Sequence, residues 1–300
     1  MKILITGSSG LIGSALIPLL ANQGHRLVRM VRRLTAPDQD AVVWDPSAAK
    51  LELRALEQMD AVVHLAGENI GAARWNKARK KRMRNSRVVG TRLLSESLAQ
   101  LAAPPRVLIC ASAVGYYGSR GDEILTEASS PGTGFLADIC QEWEAAAEPA
   151  RQKGIRVVNL RIGMVLSSKG GALPAMLPAF KAGAGGKLGS GRQFVSWITI
   201  DDLTRAITHA LATEALSGPV NAVSPNPVRN MEMTKVLGRV LRRPTFCSVP
   251  ALALRLLLGE MADALLLSSQ RVEPRRLLDT GFTFQFDNFE TALRHVLARV

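Results

Sequence analysis

Three glycines near the start of the chain follow a short apolar run and are spaced three residues apart. They are Gly7, Gly10 and Gly13, and the apolar run covers residues 3–5. At this spacing, glycines allow a tight turn and a close approach of the backbone to a ligand. The stretch that follows has the apolar density of a helix packed on a sheet, and the amino terminus of such a helix offers N–H groups and partial positive charge to a phosphate. The pattern predicts a dinucleotide-binding turn; the alternative is a strand-to-helix turn without a ligand.

The residues after the second apolar run indicate which dinucleotide would fit. Sites that prefer NAD place an acidic residue about 20 residues beyond the glycines, where it binds the ribose 2′-OH. This chain has Arg32 and Arg33 at that place. Because a guanidinium binds a phosphate through two parallel hydrogen bonds, the sequence predicts NADP(H) as the cofactor. The alternative is that both arginines are solvated surface residues.

Alternating strand and helix signals must position these residues. Strands are predicted at residues 3–5, 25–31, 41–44, 60–67, 106–111 and 155–160. A helix is predicted at residues 135–151, and a flexible glycine-rich loop at residues 183–191. This alternation predicts an α/β fold with a doubly wound parallel sheet, in which ligands bind beyond the carboxyl ends of the strands.

Length and composition suit a globular protein without a metal site. The chain has 300 residues, of which 47% are hydrophobic, enough for one large α/β domain and a smaller lobe. Cys110, Cys140 and Cys247 lie in apolar surroundings without metal-ligand spacing, which predicts reduced packing residues. A core strand begins at residue 2, and no apolar run reaches the roughly 20 residues of a membrane span. We expect a cytoplasmic protein with no membrane partner.

The net charge of +13 raises nucleic acid as a partner. The densest basic stretch, residues 74–87, lies on a predicted helix and has no aromatic stacking platform or recognised nucleic-acid module beside it. A solvated basic face, partly turned toward an anionic ligand, is the expected role. Nucleic-acid binding is the minor alternative.

Several motifs along the chain resemble those of one enzyme superfamily. They are Thr-Gly-Ser-Ser-Gly-Leu-Ile-Gly at residues 6–13, His-Leu-Ala-Gly at 64–67, Arg-Val-Val-Gly-Thr at 87–91, a strand and helix start at 195–203, and a carboxy-terminal stretch at 269–282. The chain resembles an extended short-chain dehydrogenase/reductase of the NAD(P)-dependent epimerase/dehydratase type, in an epimerase-like branch with a characteristic carboxy-terminal domain. The resemblance implies a Rossmann-type domain at residues 1–225 and a small, mostly helical lobe at 226–300, with the branch-specific domain at about 248–297.

The resemblance also implies a set of cofactor-binding residues. Those around the pyrophosphate are Gly7, Ser8, Ser9, Gly10, Leu11 and Ile12. Arg32 would bind the adenosine phosphate, and Leu65 and Ala66 would lie beside the ribose. Arg87 stands where the family has a neutral asparagine, and it would add a cation near the cofactor phosphates, with Arg82 contributing from a neighbouring helix face. Surface solvation is the alternative for both.

The catalytic pattern of the superfamily is broken. Its Tyr-x-x-x-Lys pair moves protons, but the matching helix at residues 134–144 contains neither a tyrosine nor a lysine. Ala113 falls on the usual catalytic serine, and Ser112 is one place away. We therefore assign no catalytic residue. Conceivable substitutes, each also explained by a structural role, are Ser112, Tyr116, Asp138, Glu68 and Asn69.

A pocket for an anionic or sugar-like small molecule is predicted beyond the strand ends. Its candidate residues are Arg74, Trp75, Arg192, Gln193 and Trp197, although the two tryptophans would equally serve to pack the lobes together. The predicted function is an NADP(H)-binding, epimerase-like oxidoreductase, since the cofactor itself carries hydride chemistry. The alternative is a sensor or scaffold that binds NADPH without turnover. Substrate, reaction direction and oligomeric state stay open.

Overall fold

An eight-stranded sheet forms the centre of the protein, in a computed structural model that describes residues 1–34 and 40–298. In chain order the strands are β1 (Lys2–Thr6), β2 (Arg26–Val31), β3 (Ala41–Asp45), β4 (Lys50–Leu51), β5 (Ala61–His64), β6 (Val107–Ala113), β7 (Ile124–Leu125), β8 (Arg156–Ile162), β9 (Met164–Leu166), β10 (Gly186–Leu188), β11 (Phe194–Val195), β12 (Trp197–Thr199), β13 (Gly218–Ala222), β14 (Val228–Arg229), β15 (Cys247–Val249) and β16 (Arg271–Val272).

Helices connect these strands and dominate the last part of the chain. They are α1 (Leu11–Asn22), α2 (Lys77–Ala99), α3 (Phe135–Ala145), α4 (Glu148–Gln152), α5 (Ala172–Lys181), α6 (Ile200–Ala212), α7 (Asn230–Leu241), α8 (Ala251–Leu258), α9 (Arg275–Asp279) and α10 (Phe289–Leu297). Short 3-10 turns lie at Leu53–Leu56 and Val114–Tyr117, and a π-helical turn lies at Ala262–Leu267. Along the described residues, no helix has both the length and the apolar character that a bilayer crossing requires.

The strand order confirms the doubly wound parallel sheet. It runs β13-β8-β6-β5-β1-β2-β3-β4, and all neighbours are parallel except β3 and β4. The chain winds outward from β1 in one direction through β2 and β3, and from β5 in the other. The switch point therefore lies between β1 and β5, where ligands bind beyond the carboxyl ends of the strands. Strand β13 extends the six predicted parallel strands to seven within the described ranges; its glycine and proline weaken the strand signal.

Both faces of the sheet are covered, which explains the almost continuous apolar character of β1. Ile3 and Ile5 pack with Leu16 of α1 and Leu203 of α6, whereas Leu4 faces the side of the sheet where Leu98 of α2 packs. All six side chains are fully buried. A strand in this position has no polar face, as expected for a parallel sheet between two helix layers.

The single helix predicted at residues 135–151 is wrong. The structure has two helices there, α3 and α4, and Pro149 lies in the first turn of α4. Proline has no N–H for a preceding turn and its ring obstructs a continuing helix, whereas the first turn of a new helix tolerates it.

The carboxy-terminal region is mostly helical, as predicted, and it shares a second apolar core with earlier segments. Leu166 and Trp197 pack there with Met233 of α7 and Leu293 of α10. Strand pairs β7–β16, β10–β15 and β11–β14 join the two regions through their backbones. The predicted flexible loop at residues 183–191 is wrong in part, because β10 lies within it. The boundary at residue 225 stays a prediction.

Candidate cofactor-binding site

Two positions around the turn after β1, Gly7 and Gly13, have room for glycine only. Gly7 has a φ of +67°, and a Cβ atom there would lie 2.8 Å from the carbonyl carbon of Leu65. A Cβ atom on Gly13 would lie 2.4 Å from the Gly7 oxygen. The first N–H groups of an α-helix have no intrahelical acceptor, and Gly10, which precedes α1, provides no side-chain cap for them. The result is an open helix terminus behind a tightly packed turn.

Thr6 fixes the turn after β5 against the turn after β1. Its Oγ1 accepts hydrogen bonds from the N–H groups of Leu65 and Ala66, both at 3.1 Å. Thr6 is paired with His64 on one side and with Met30 on the other. Gly7, Leu65 and Ala66 thus meet at the carboxyl edge of the sheet, where the sequence placed the cofactor pyrophosphate and ribose.

Arg32 and Arg33 follow β2 at the same edge, and both side chains are exposed. Over the described ranges neither makes an ion pair with a carboxylate. No acidic residue occupies this place in the sequence. Contact of Arg32 with a 2′-phosphate stays a prediction.

Arg87 supports the turn after β5 from behind. Its guanidinium donates to the backbone oxygens of Glu68, at 2.9 Å, and Met83, at 3.1 Å, and it lies 5.0 Å from the Trp143 ring centre. Burial lowers the pKa of this guanidinium. Arg82 is largely exposed, with its Nε 3.4 Å from a Glu68 carboxylate oxygen. Contacts of Arg82 and Arg87 with cofactor phosphates stay predictions.

His64 lies fully buried beneath the same turn, between two threonines. Its Nδ1 is 2.7 Å from Thr6 Oγ1, and its Nε2 is 2.9 Å from Thr91 Oγ1. Two backbone N–H groups already occupy the Thr6 oxygen, so the Thr6 hydroxyl donates to Nδ1 and the ring proton is on Nε2. Trp143 also donates its indole N–H to Thr91, at 2.8 Å. Burial lowers the pKa of His64 to about 4.

The buried neutral imidazole predicts that acid destabilises the protein. His64 titrates at 6.5 when unfolded and at about 4 when folded, so the unfolded state takes up the proton first. The contribution of the neutral His64 to the free energy of unfolding is complete above pH 6.5. It is lost as the pH falls toward 4, by about 3 kcal/mol in total. Urea unfolding between pH 7.5 and 4.5 measures this loss. His64→Asn, which cannot titrate, should show a shallower dependence; equal slopes for both proteins would contradict the prediction.

A second polar network lies at the carboxyl ends of β6, β8 and β13, where Ser112, Arg161 and Asn221 occupy one row of the sheet. Arg161 donates to both carboxylate oxygens of Glu144 on α3, each at 2.8 Å, and to the Tyr117 hydroxyl at 3.0 Å. The side chains of Arg161 and Glu144 are 3% and 12% exposed. This is a buried ion pair whose charges are hydrogen-bonded on several sides.

The hydroxyl groups in this network are also engaged. Ser112 donates to Glu144 at 2.7 Å, and Tyr117 donates to Asn221 Oδ1 at 2.7 Å. Burial raises the pKa of Tyr117 to about 12. Arg161 and Asn221 are not among the predicted site residues, although a cation and an amide inside apolar strands are themselves a signal of a buried polar network.

The conceivable catalytic substitutes all have structural partners or lie at the surface. Ser112 is buried and its proton points to Glu144. The Tyr116 ring lies under the Arg161 guanidinium, 3.4 Å from its carbon, and Asp138 is exposed in the first turn of α3. The catalytic residues therefore stay unassigned.

Glu68 and Asn69 shape the loop after β5. Glu68 lies within 4 Å of Arg79 and Arg82, and the Asn69 side chain accepts the N–H of Gly71 at 2.9 Å. Arg79 in turn donates to the Asn69 backbone oxygen at 2.6 Å. These contacts give both residues a structural role.

The predicted pocket residues differ in burial. Trp197 is fully buried in the second core, donates to the Asn226 backbone oxygen and lies edge-on to Phe289, so the packing alternative describes it. The Gln193 amide donates to two backbone oxygens and is buried, whereas Arg192 is exposed. Substrate contact by Trp197 and Gln193 was a wrong expectation, because their polar atoms are used within the protein.

Trp75 packs against the start of α3. Its ring centre is 5.3 Å from that of Phe135, and the Lys80 ammonium lies 4.1 Å above the Phe135 ring. Lys80 also pairs with Glu260 at 2.8 Å. The loop after β5 thus contacts α3 through Trp75, and the first turn of α2 contacts both α3 and the carboxy-terminal region through Lys80.

The fold and the open glycine turn define a dinucleotide-binding protein of the doubly wound α/β class. The chain belongs to the NAD dependent epimerase/dehydratase family, whose model matches residues 3–223. Residues 249–296 match a domain of unknown function, DUF1731. Both findings confirm the resemblance drawn from the motifs.

Relatives match the chain along its whole length. An epimerase family protein of Mycobacterium bovis is 46% identical over 98% of this chain and 97% of its own. The human epimerase family protein SDR39U1, solved with NADPH, is 34% identical with a TM-score of 0.92, and the match covers 100% of both chains. A nucleoside-diphosphate sugar epimerase from Corynebacterium glutamicum is 39% identical with a TM-score of 0.83, over 100% of this chain and 58% of that one.

Proposed function

We propose that this protein binds NADP(H) at the carboxyl edge of β1, β2 and β5 and acts as an epimerase-like oxidoreductase. The observation that carries the proposal is the meeting of the open Gly7 turn, the Leu65–Ala66 turn and Arg32 at one edge. Close packing of Gly7 on the Leu65 backbone fixes the turn, and the uncapped start of α1 behind it fits the close approach of a pyrophosphate. The NADPH in the solved human relative supports this choice.

Each group at this edge has a distinct task in the proposal. The free N–H groups at the start of α1, including those of Leu11 and Ile12, bind the pyrophosphate. Arg32 binds the 2′-phosphate, and Leu65 and Ala66 lie beside the ribose. When bound, the nicotinamide supplies the hydride chemistry. Arg87 holds the turn after β5 in place through the backbone oxygen of Glu68.

Arg32→Asp should separate the two nicotinamide cofactors. We expect the Kd for NADPH to rise at least tenfold, about 1.4 kcal/mol, and the Kd for NADH to change much less, because only NADPH carries the 2′-phosphate. Fluorescence titration with both cofactors measures this. Arg54→Asp makes the same charge change at an exposed site elsewhere and should leave both affinities unchanged. Equal losses for NADPH and NADH would contradict the specificity.

The proposed substrate is an anionic or sugar-like small molecule. The sugar-nucleotide epimerase among the relatives supports this class, as do the cations near the loop after β5. The cytoplasmic location stays a prediction. A panel of carbonyl compounds and nucleotide sugars, assayed by oxidation of NADPH, tests turnover.

The second candidate is an NADPH-binding sensor without turnover. It is favoured by the polar groups beyond β6, where the Ser112 hydroxyl and the Glu144 carboxylate are engaged with each other. The helix α3 also provides no tyrosine or lysine in their place. Tight NADPH binding with no turnover across the substrate panel would select this candidate.

A further inference from the structure

The part of the cofactor site that would hold the pyrophosphate has no cation of its own. Residues 3–24, which include the Gly7 turn and the whole of α1, contain no charged side chain. The N–H groups at the start of α1 provide only partial positive charge, whereas each phosphate of a dinucleotide carries a full negative charge. A full positive charge for the pyrophosphate must therefore come from another part of the chain.

The arginines proposed for the same site have other partners or another task. Arg87 donates to the backbone oxygens of Glu68 and Met83, behind the turn after β5. The Nε of Arg82 lies 3.4 Å from the Glu68 carboxylate. Arg32 is assigned to the 2′-phosphate in the proposed function. None of these contacts places a guanidinium at the start of α1.

The segment between β9 and α5 lies against the first turn of α1. It has the sequence Ser-Ser-Lys-Gly-Gly at residues 167–171. A Cβ atom on Gly170 would lie 3.4 Å from Leu11 Cδ1, and a Cβ atom on Gly171 would lie 3.4 Å from Leu11 Cδ2. Ile12, the next residue of α1, packs against the same core cluster as β9. The segment therefore adjoins the two residues whose N–H groups are proposed to bind the pyrophosphate.

Lys169, in the middle of this segment, has a fixed backbone and an exposed side chain. Its N–H donates at 3.2 Å to the Oγ of Ser167, a residue that is 4% exposed. Lys169 is exposed and makes no ion pair with any described residue. The chain has no acidic residue between Glu148 and Asp201, so no carboxylate of β8, β9 or α5 competes for the ammonium group.

We propose that the Lys169 ammonium binds the pyrophosphate of NADP(H) beside the start of α1; this assignment rests on the proposed cofactor site. Only Gly170 separates Lys169 from the contact with Leu11, and the flexible four-carbon stem of a lysine is long enough to span that distance. Lysine binds a phosphate as a point charge, so it needs no particular direction of approach.

The assignment gives the second core a contact with the cofactor. Leu166 at the end of β9 and Leu173 in the first turn of α5 are buried in that core, and they flank the segment that carries Lys169. Leu11 starts the helix that packs on the central sheet. The pyrophosphate is thus held by the central sheet through backbone N–H groups and by the second core through an ammonium group.

Titration of the full chain with NADPH and with NADH tests the proposal. Lys169→Met should raise the Kd for both cofactors at least about fivefold and by a similar factor, because both contain the pyrophosphate. Lys169→Arg keeps the charge and should retain the wild-type Kd within about twofold. Lys181→Met makes the same substitution at an exposed position in the last turn of α5 and should change neither Kd.

The dependence of binding on salt provides a second readout. Added NaCl should weaken NADPH binding more steeply in the wild type than in Lys169→Met, because the variant lacks one attraction that salt screens. The thermal unfolding midpoint without cofactor should stay close to that of the wild type, since Lys169 is exposed.

Three results would overturn the proposal. The first is a Lys169→Met variant that binds both cofactors as the wild type does. The second is a loss confined to NADPH, which would place the ammonium at the 2′-phosphate. The third is an equal loss in Lys181→Met, which would show a general effect of net charge. A wild type that binds neither cofactor would refute the proposed cofactor site and this assignment together, whereas the three results above leave cofactor binding by the wild type intact.

Discussion

Replacing Gly7 by alanine is expected to raise the Kd for NADPH about a hundredfold, close to 2.7 kcal/mol. The added Cβ would lie 2.8 Å from the backbone carbon and oxygen of Leu65 and 2.9 Å from the N–H nitrogen of Ala66. Backbone atoms on both sides must move apart, and the Thr6 hydroxyl that holds them limits that movement. The turn that presents the start of α1 to the pyrophosphate is displaced as a result.

A matched control separates this collision from backbone strain. Gly24 has a φ of +78°, close to the +67° of Gly7, but a Cβ there would meet no atom within 4 Å. Gly24→Ala should cost about 1–2 kcal/mol of stability through its left-handed conformation and leave the affinity for NADPH unchanged. Equal effects of the two substitutions on the Kd would show that packing between the two turns is unimportant for binding.

Arg161→Met is expected to destabilise the protein by about 3–5 kcal/mol. Methionine approximates the volume of the arginine stem but leaves Glu144, which is 12% exposed, with an uncompensated buried charge. Tyr117 loses a donor at the same time. Urea unfolding at pH 7 measures the change in the free energy of unfolding.

Two further variants establish that burial causes this loss. Arg255→Met removes an ion pair whose side chains are about half exposed, and it should cost less than about 1 kcal/mol. Replacing Arg161 and Glu144 together by methionine removes both charges and should be less destabilising than Arg161→Met alone. A double variant as unstable as the sum of the two single variants would contradict the ion-pair explanation.

Local sequence signals predicted the first half of the fold well. Buried strands such as β1 and β6 appear as apolar runs, because both faces of a parallel sheet are covered. The glycine spacing at residues 7–13 predicted the turn, since close packing leaves room for no other residue there. The same signals failed at α3 and α4, where one proline divides a pattern that otherwise resembles a single helix.

Contacts that depend on strand register were beyond prediction from local signals. Ser112, Arg161 and Asn221 are far apart in the chain and become neighbours only because β6, β8 and β13 pair in one register. The surroundings of Trp197 were also beyond prediction from local sequence signals. Its position after the glycine-rich segment suggested a pocket, but the packing of Phe289 from the far end of the chain places it in a core.

The three short ladders between early and late strands constrain how the protein is made. When residues 1–225 have left the ribosome, β7, β10 and β11 are complete, but their partners β16, β15 and β14 have not yet emerged from it. The nascent chain then exposes unpaired strand edges and half of the second core, which are templates for aggregation. A ribosome stalled in the last quarter of the message would therefore release an aggregation-prone fragment rather than a smaller folded protein.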